Sequence, residues 1–520
     1  MLSFLVAILI CVVIFGLRQL NRNYALTSLT KRIKTMDGTP LENVIDVVGG
    51  FWGSNFDLLT MKRSEQIFDY SRRLAKTFKR SYVQYFLLTP VYNVIDANDA
   101  EMILNDSRIL DKGLLLRFLH PFLKTGLLTS SGKKWHTRRR LLTPTFHFNI
   151  LQKFMEIFKS ESRKFIDDLW KQIDLADFNG SVSLNELIPR FTLNIICETA
   201  MGVRLDDCAD GDEYRKYYSR IEDILIERLK NPIMSFDWIF FKFQNGKNYL
   251  KSLKKLHSFS SGIIKKRREM LEEELQQQEF ELIERIDQDD NNAYGKQRYA
   301  MLDSLLFAEK EGLIDHRGIC EEVDTFILAG YDTISMNLIY ALRCLAMYPD
   351  VQAKCYEELQ ECIPEDLSGL NMKQLNNLKY LDCVIRETLR LYPSVPTVKR
   401  ECIADTVVGG NLFLPKRTQI NLHIYDIHRN PKYFPDPEVF RPERFMSSEK
   451  RHPYAFIPFS VGQRNCIGQK FAILEIKTLL IHILQNFQLQ SVSDCEELKF
   501  STGLLLRTNT NVKIKLNKRN

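Results

Sequence analysis

The sequence predicts a mainly α fold with small β-sheets, in one large domain behind a single N-terminal membrane anchor. Three observations carry this. Four long stretches, 151–171, 211–229, 249–284 and 315–347, repeat apolar residues at helical spacing. Short β-like stretches occupy 83–95 and 406–413, and 511–516 alternates polar and apolar residues. Residues 2–17 form one apolar run whose only clearly polar side chain is Ser3.

The apolar run comes first. At 1.5 Å per residue it spans about 24 Å, and a snorkelling Arg18 brings it near the ~30 Å of a bilayer core. Arg18, Arg22, Lys31, Arg32 and Lys34 follow the run and no Lys or Arg precedes it, which puts the rest of the chain in the cytoplasm. A cleaved signal peptide would need a basic start and a small-x-small site, and neither is present. The expected organisation is an anchor over 1–20 in the endoplasmic reticulum membrane, a basic linker over 21–37, and one folded domain over 38–520.

Composition narrows the class of that domain. Of 520 residues 26% are charged and 45% hydrophobic, which excludes disorder, collagen and coiled coil. The absence of a second spanning-length run excludes a multi-span membrane protein. A net charge of +7 suits a membrane surface or an acidic partner; no nucleic-acid partner is expected. Eleven scattered cysteines without a C-x-x-C pair argue against a disulfide framework or zinc ribbon and for a reducing compartment. The acidic, Gln-rich stretch 272–292 reads as an exposed helix end and loop. Aromatic residues crowd 236–243, read equally well as a core segment or as a loop that dips into lipid.

The segment Phe459-Ser-Val-Gly462-Gln-Arg464-Asn-Cys466-Ile-Gly468 carries the strongest chemical signal. Its five spaced residues should coincide by chance in about one 500-residue chain in ten thousand. A cysteine thiolate can ligate haem iron and push electron density toward bound dioxygen. A buried thiolate needs N–H donors and positive charge nearby. Gly462 and Gly468 permit a tight turn, Arg464 can pair with a haem propionate, and Phe459 can shield the loop.

This loop resembles that of the cytochrome P-450 superfamily, and other segments agree. Glu387-Thr-Leu-Arg390 is similar to its E-x-x-R helix and Pro442-Glu-Arg444-Phe445 to its P-x-R-F segment. The resemblance implies that Glu387, Arg390 and Arg444 form a buried structural triad. Trp135-His-Thr-Arg-Arg139 resembles the W-x-x-x-R helix and implies that Trp135 and Arg139 reach a haem propionate, with Arg400 as a further propionate ligand. The basic residues Lys133, Lys134, Arg138 and Arg140 around Arg139 would form a docking patch for an acidic redox partner. Ala329-Gly330-Tyr331-Asp332-Thr333-Ile334-Ser335 resembles the oxygen-activating helix. Gly330 would let the backbone open beside the iron, and Asp332 and Thr333 would relay protons.

The stretches Glu322-Val-Asp-Thr-Phe-Ile-Leu-Ala-Gly-Tyr-Asp-Thr and Asp426-Ile-His-Arg-Asn-Pro look closest to family 4, the fatty-acid ω-hydroxylase branch and its insect relatives. Two departures stand out: the proline-rich hinge is reduced to Pro40, and Ala329 replaces the glutamate that most family 4 members esterify to the haem. The resemblance therefore implies a haem-thiolate monooxygenase with non-covalent haem b, its iron held by Cys466. Its substrate would be hydrophobic: a fatty acid, hormone, terpenoid or xenobiotic such as an insecticide. No G-x-G-x-x-G fingerprint occurs, so electrons must come from NADPH through a separate NADPH-cytochrome reductase, with cytochrome b5 as a further candidate donor. The rival readings are a haem-thiolate isomerase or dehydratase and a non-enzymatic haem sensor or carrier. A zinc enzyme built on His423 and His428 is more distant, because five residues is poor helical ligand spacing.

Overall fold

The computed structural model describes residues 33–47, 61, 63–78, 80–86, 89–173, 180–205, 211–231, 234, 236–286, 300–447, 450–492 and 498–519. The expected anchor over 1–20 lies outside them. Among the described residues no helix is long and apolar enough to cross a membrane.

Twelve helices of nine or more residues stand among the described residues. They are α1 (Ser64–Thr77), α2 (Ala97–Asn105), α3 (Gly132–Leu142), α4 (Phe148–Ile173), α5 (Leu184–Thr199), α6 (Gly211–Lys230), α7 (Gln244–Ile286), α8 (Met301–Lys310), α9 (His316–Met347), α10 (Pro349–Cys362), α11 (Lys379–Leu391) and α12 (Gln469–Asn486). The four predicted helical stretches are α4, α6, α7 and α9. The stretch 83–95 is a hairpin of Tyr82–Phe86 and Thr89–Val94, and 406–413 is a hairpin of Thr406–Val408 and Leu412–Leu414. In the second hairpin Gly409 and Gly410 turn the chain at φ 60° and 77°, the left-handed region that glycine enters without strain.

α9 is the axis of the helical layer. Asp315 caps it by accepting the Gly318 amide at 2.8 Å. The helix carries apolar side chains on every face, as a core helix must. From 321 to 342 every residue is buried except Ala329, Gly330 and Thr333. α5 lies against one side: Thr192 Oγ1 and Ser335 Oγ are 2.6 Å apart. A Cβ on Gly330 would stand 2.4 Å from Ile196 Cδ1. The expectation that Gly330 opens the backbone is thus corrected. The helix runs unbroken through it, and the missing side chain makes room for Ile196.

α12 packs beside α9, and its Phe471 receives the edges of Phe154 and Phe158 of α4 at centroid distances of 5.9 and 5.2 Å. Five strands form the main sheet in the order Asp46–Val47, Tyr82–Phe86, Thr89–Val94, Gln419–Leu422, Val398–Glu401. The last strand presents Arg400. Lys34–Thr35, within the stretch read as a linker, pairs with Leu412–Leu414, and Ile33 and Thr35 are buried. The folded part therefore begins by residue 33, because these side chains complete the small sheet's core.

The aromatic segment divides between its two readings. Phe240 is buried, with the Arg228 guanidinium 4.2 Å from its ring centre, while Trp238 and Phe243 are exposed. α7 continues to Ile286; the rest of 272–292 lies outside the described residues.

Behind these layers a buried ion cluster ties α11 to the segment 435–444. Arg390 donates Nε to Glu387 Oε2 at 2.7 Å and Nη2 to Oε1 at 2.8 Å. Arg444 Nε and the Arg441 amide also reach Glu387 Oε1, both at 2.9 Å. The remaining guanidinium protons go to backbone carbonyls: His428 and Pro437 for Arg390, Pro435 and Asp436 for Arg444, and Val439 for both. Glu387 and Arg390 have no accessible surface, so removing the anion strands two buried cations. Glu387→Ala is expected to cost about 3–5 kcal/mol, read as a lower urea midpoint or loss of folded protein. An unchanged midpoint would show that the cluster is not structural.

Candidate active site

The Cys466 loop enters α12 from a strained turn. Ser460 sits at φ 57° and Gly462 at φ 79°, and a Cβ on Gly462 would lie 2.6 Å from the Leu104 carbonyl oxygen. The Cys466 amide closes the loop onto the Phe459 carbonyl at 2.9 Å, and the Asn465 amide onto Gly462 at 3.1 Å. Phe459 is half-buried against the helical core. Gly468 sits at φ −91°, which other residues also adopt; what it contributes is its amide, which draws the Cys466 thiol down. The Cys466 side chain keeps accessible surface inside a crowded surround. Burial pushes its thiol up, and the Gly468 amide and the Arg139 charge pull it down, with burial the larger effect. Such a thiol ionises fully when a metal ion takes its place among the charges.

Four cations converge beside the loop. Arg139 donates Nη1 to the Asn465 carbonyl at 2.9 Å and Nη2 to Asn465 Oδ1 at 2.7 Å, so it braces the cysteine loop. Arg464 lies 4.1 Å from the centre of the buried Trp135 ring and donates to the carbonyls of Leu110 and Ser130 at 3.1 and 2.6 Å. Burial, with the Arg400 charge adding to it, pushes Arg464 down to about 9. Arg400, 2% exposed, donates Nη1 to the Lys399 carbonyl, and burial pushes it down to about 10. Lys112 is the fourth, held well below the usual lysine range by burial and by the charges of Arg400 and Arg464.

The segment 111–114 is stapled to the Arg400 strand and its neighbour: Glu401 N donates to the Asp111 carbonyl at 2.9 Å and Leu114 N to Gln419 Oε1 at 2.7 Å. None of the four cations forms an ion pair with a protein carboxylate among the described residues. Buried cations without counter-ions are costly. Two acidic groups presented together would give Lys112, Arg400 and Arg464 acceptors, which is what the propionates of a haem offer. The sulfur, the tight Gly462 turn and this cation cluster fit a haem.

The protein-family model for "Cytochrome P450" matches residues 50–516. The chain belongs to the cytochrome P450 family. It is 48% identical to "Cytochrome P450 4p1" of Drosophila melanogaster, covering 97% of each chain. Against "Probable cytochrome P450 4ac1" of the same species it is 46% identical over 99% of this chain and 98% of the relative. Against "Cytochrome P450 4V2" of Mus musculus the identity is 40% over 83% of this chain and 81% of the relative. The protein is a cytochrome P450 monooxygenase of mainly helical fold with small sheets.

Within this P450 the motif residues of α9 face two ways. Thr333 shares the uncovered side with Ala329, and its Oγ1 donates to the Ala329 carbonyl at 2.8 Å. Asp332 is 2% exposed and turns to the covered side. It accepts Tyr218 OH at 2.8 Å, and Arg507 Nη2 lies 2.7 Å from both of its oxygens. The structure therefore does not bring the two side chains of the expected relay together.

The basic docking patch is smaller than expected. Arg138 is buried 3.6 Å from Glu322, and Lys134 pairs with Glu321, both on α9. Lys133 and Arg140 remain exposed. His423 is taken up by Arg72 and Asn93, and His428 Nε2 by the Ile457 amide at 2.8 Å, so the distant zinc pair is not assembled. Sequence reading missed Lys112, Asn465, Tyr218, Glu222 and Arg507. Asn465 sits at an unspecified position within the loop motif, and the others belong to no motif.

Gly462→Ala is expected to lose at least about 1–2 kcal/mol from the left-handed φ alone. Gly468→Ala, with nothing within 4 Å of the new Cβ, should be tolerated. Urea midpoints and haem retained per chain after gel filtration compare the two; equal behaviour contradicts this account of the turn.

Proposed function

We propose that this P450 is a microsomal monooxygenase that inserts one oxygen atom from dioxygen into an apolar substrate, in the fatty-acid, hormone, terpenoid or xenobiotic range. Residues 1–20 anchor it in the endoplasmic reticulum membrane with 38–520 on the cytoplasmic face. The exposed Trp238 and Phe243 offer a second contact with lipid. Electrons come from NADPH through a separate reductase, with cytochrome b5 as an additional donor, and the exposed Lys133 and Arg140 provide a basic face for an acidic partner.

The observation that carries this reading is the cluster of counter-ion-free cations around the Cys466 loop. Cys466 would ligate the haem iron, and Lys112, Arg400 and Arg464 would hold the propionates, with Trp135 supporting Arg464. When bound, the haem supplies oxygen activation and the thiolate donates electron density to it. Arg139 and the Gly468 amide would help the iron hold the sulfur ionised against burial. Thr333 holds a hydroxyl on the uncovered face of α9, and Asp332 would deliver protons there once it leaves Arg507. Apolar α9 residues and the segment before Trp135 exclude water.

Non-covalent haem follows from Ala329, which offers no carboxyl at the ester position. The nearby acids are committed elsewhere: Glu322 accepts the Leu127 amide at 2.9 Å, and Asp324 lies 3.6 Å from His257 Nε2.

Two outcomes test the reading. Cys466→Ala should remove the strongly red-shifted Soret band that thiolate ligation gives the reduced, CO-bound protein; a retained band would assign the ligand elsewhere. Haem from the wild-type chain should extract into acidified organic solvent. Haem that stays with the denatured polypeptide would show that another carboxylate has formed a linkage.

A further inference from the structure

On the covered side of α9 a cleft of about 810 Å³ reaches Asp332, Tyr218 and Arg507 between α5, α6 and the hairpin Phe500–Thr502/Leu506–Thr508. From α9 it is lined by Tyr331 and Asp332 and not by Ala329 or Thr333, so it opens on a different side of the helix from the Thr333 hydroxyl. Its walls are mixed: Arg190 pairs with Asp212, and Tyr331 and Asp332 come from α9. Such a cleft admits water up to a carboxylate that the rest of the protein buries.

At its inner end one guanidinium nitrogen serves two acids. Arg507 Nη2 is 2.7 Å from both Asp332 oxygens and 2.5 Å from Glu222 Oε2 on α6. Arg507 Nε is buried with no acceptor, so neither acid holds the fork by two parallel bonds. The grip of Arg507 on Asp332 is therefore divided, and the division depends on the charge of Glu222.

We propose that Glu222 is a positioning residue for proton delivery: its ionisation sets how firmly Arg507 holds Asp332 on the covered side of α9. This rests on the reading of Asp332 as the acid of the relay. With Glu222 ionised, the two carboxylates repel, and Asp332 can turn away while Arg507 keeps a counter-ion. With Glu222 protonated, a departing Asp332 would leave the half-buried Arg507 without an anion, so Asp332 stays. The proton that Asp332 carries comes from cleft water, and Glu222 neither supplies nor keeps it.

The surroundings place this switch near neutrality. Burial pushes Glu222 up, Arg507 opposes it, Asp332 adds to it, and the result is about 7. The other titratable groups facing this point are Tyr218 and Asp223 on α6 and Tyr331 on α9. Burial holds both tyrosines neutral, so they do not compete for the switch. On α7, Lys255 pairs with Glu213, more than two turns from Glu222.

The test uses the full chain with its haem. In pH-difference infrared spectra, a carboxylic-acid C=O band should fade as pH rises through about 7 and be absent from Glu222→Gln. In a reductase-reconstituted mixture without added substrate, peroxide released per NADPH consumed should fall several-fold in the wild type between about pH 6 and 8. In Glu222→Gln the ratio should be high and flat across that range. Glu222→Asp, which keeps the charge but withdraws it from Arg507, should give an intermediate, still sloping profile. It serves in place of Glu222→Gln if that variant lacks the thiolate Soret band.

A persistent infrared band in Glu222→Gln, or a wild-type peroxide profile in either variant, overturns the proposal. Asp332→Asn separates the two layers. If it uncouples while Glu222→Gln does not, only the role of Glu222 fails. If Asp332→Asn itself keeps the wild-type profile, the relay reading fails and this inference with it.

Discussion

The structure depends on buried positive charge that the protein does not neutralise. Lys112, Arg139, Arg400 and Arg464 converge beside the Cys466 loop, Arg400 and Arg464 buried and the other two half-buried, and no carboxylate pairs with them among the described residues. Burying even one such cation costs several kcal/mol. In the proposed reading Lys112, Arg400 and Arg464 offset that cost by meeting the acidic groups of the haem. Of these charges Arg139 draws the Cys466 thiol down, against burial, which is the larger effect. The strained Gly462 turn fixes where the sulfur stands beside the cations.

Helix α9 converts this arrangement into a two-sided device. Its uncovered side bears small groups, Ala329 and the Thr333 hydroxyl. The other side carries Asp332 in an ion network with Arg507, Glu222 and Tyr218, reached by a water-accessible cleft. In the proposed reading one helix separates an apolar reaction space from a polar proton source. Lys134 and Arg138 tie α3 to Glu321 and Glu322 of the same helix, so the helix next to the Cys466 loop and the one that bears Thr333 are fixed to each other.

Much of this was legible in the sequence, and the reasons differ by residue. The Cys466 loop and the Glu387–Arg390–Arg444 cluster could be read because backbone constraint and charge pairing restrict those positions to few residue types. The long helices could be read from period alone. Gly330 was misread, because the sequence shows that a glycine is there but not that Ile196 of α5 fills the space. Lys112 was invisible: a single lysine before Gly113 gains its meaning only when the 111–114 segment is stapled to the Arg400 strand. Asp332 and Thr333 are neighbours in the chain, yet about 100° per residue sets them on different faces of the helix. Arg138 looked like part of a solvated basic face until burial against Glu322 removed it.

The most direct test of the account compares the apoprotein's affinity for haem with its affinity for haem whose two propionates are methyl esters. Charge-assisted hydrogen bonds contribute about 1.5–3 kcal/mol each, so the ester should bind weaker by about two orders of magnitude. Arg400→Leu should narrow that difference, because it removes one of the cations that only the free acid can satisfy. Equal affinity for acid and ester would contradict the account, since the buried cations would then have some purpose other than holding the haem.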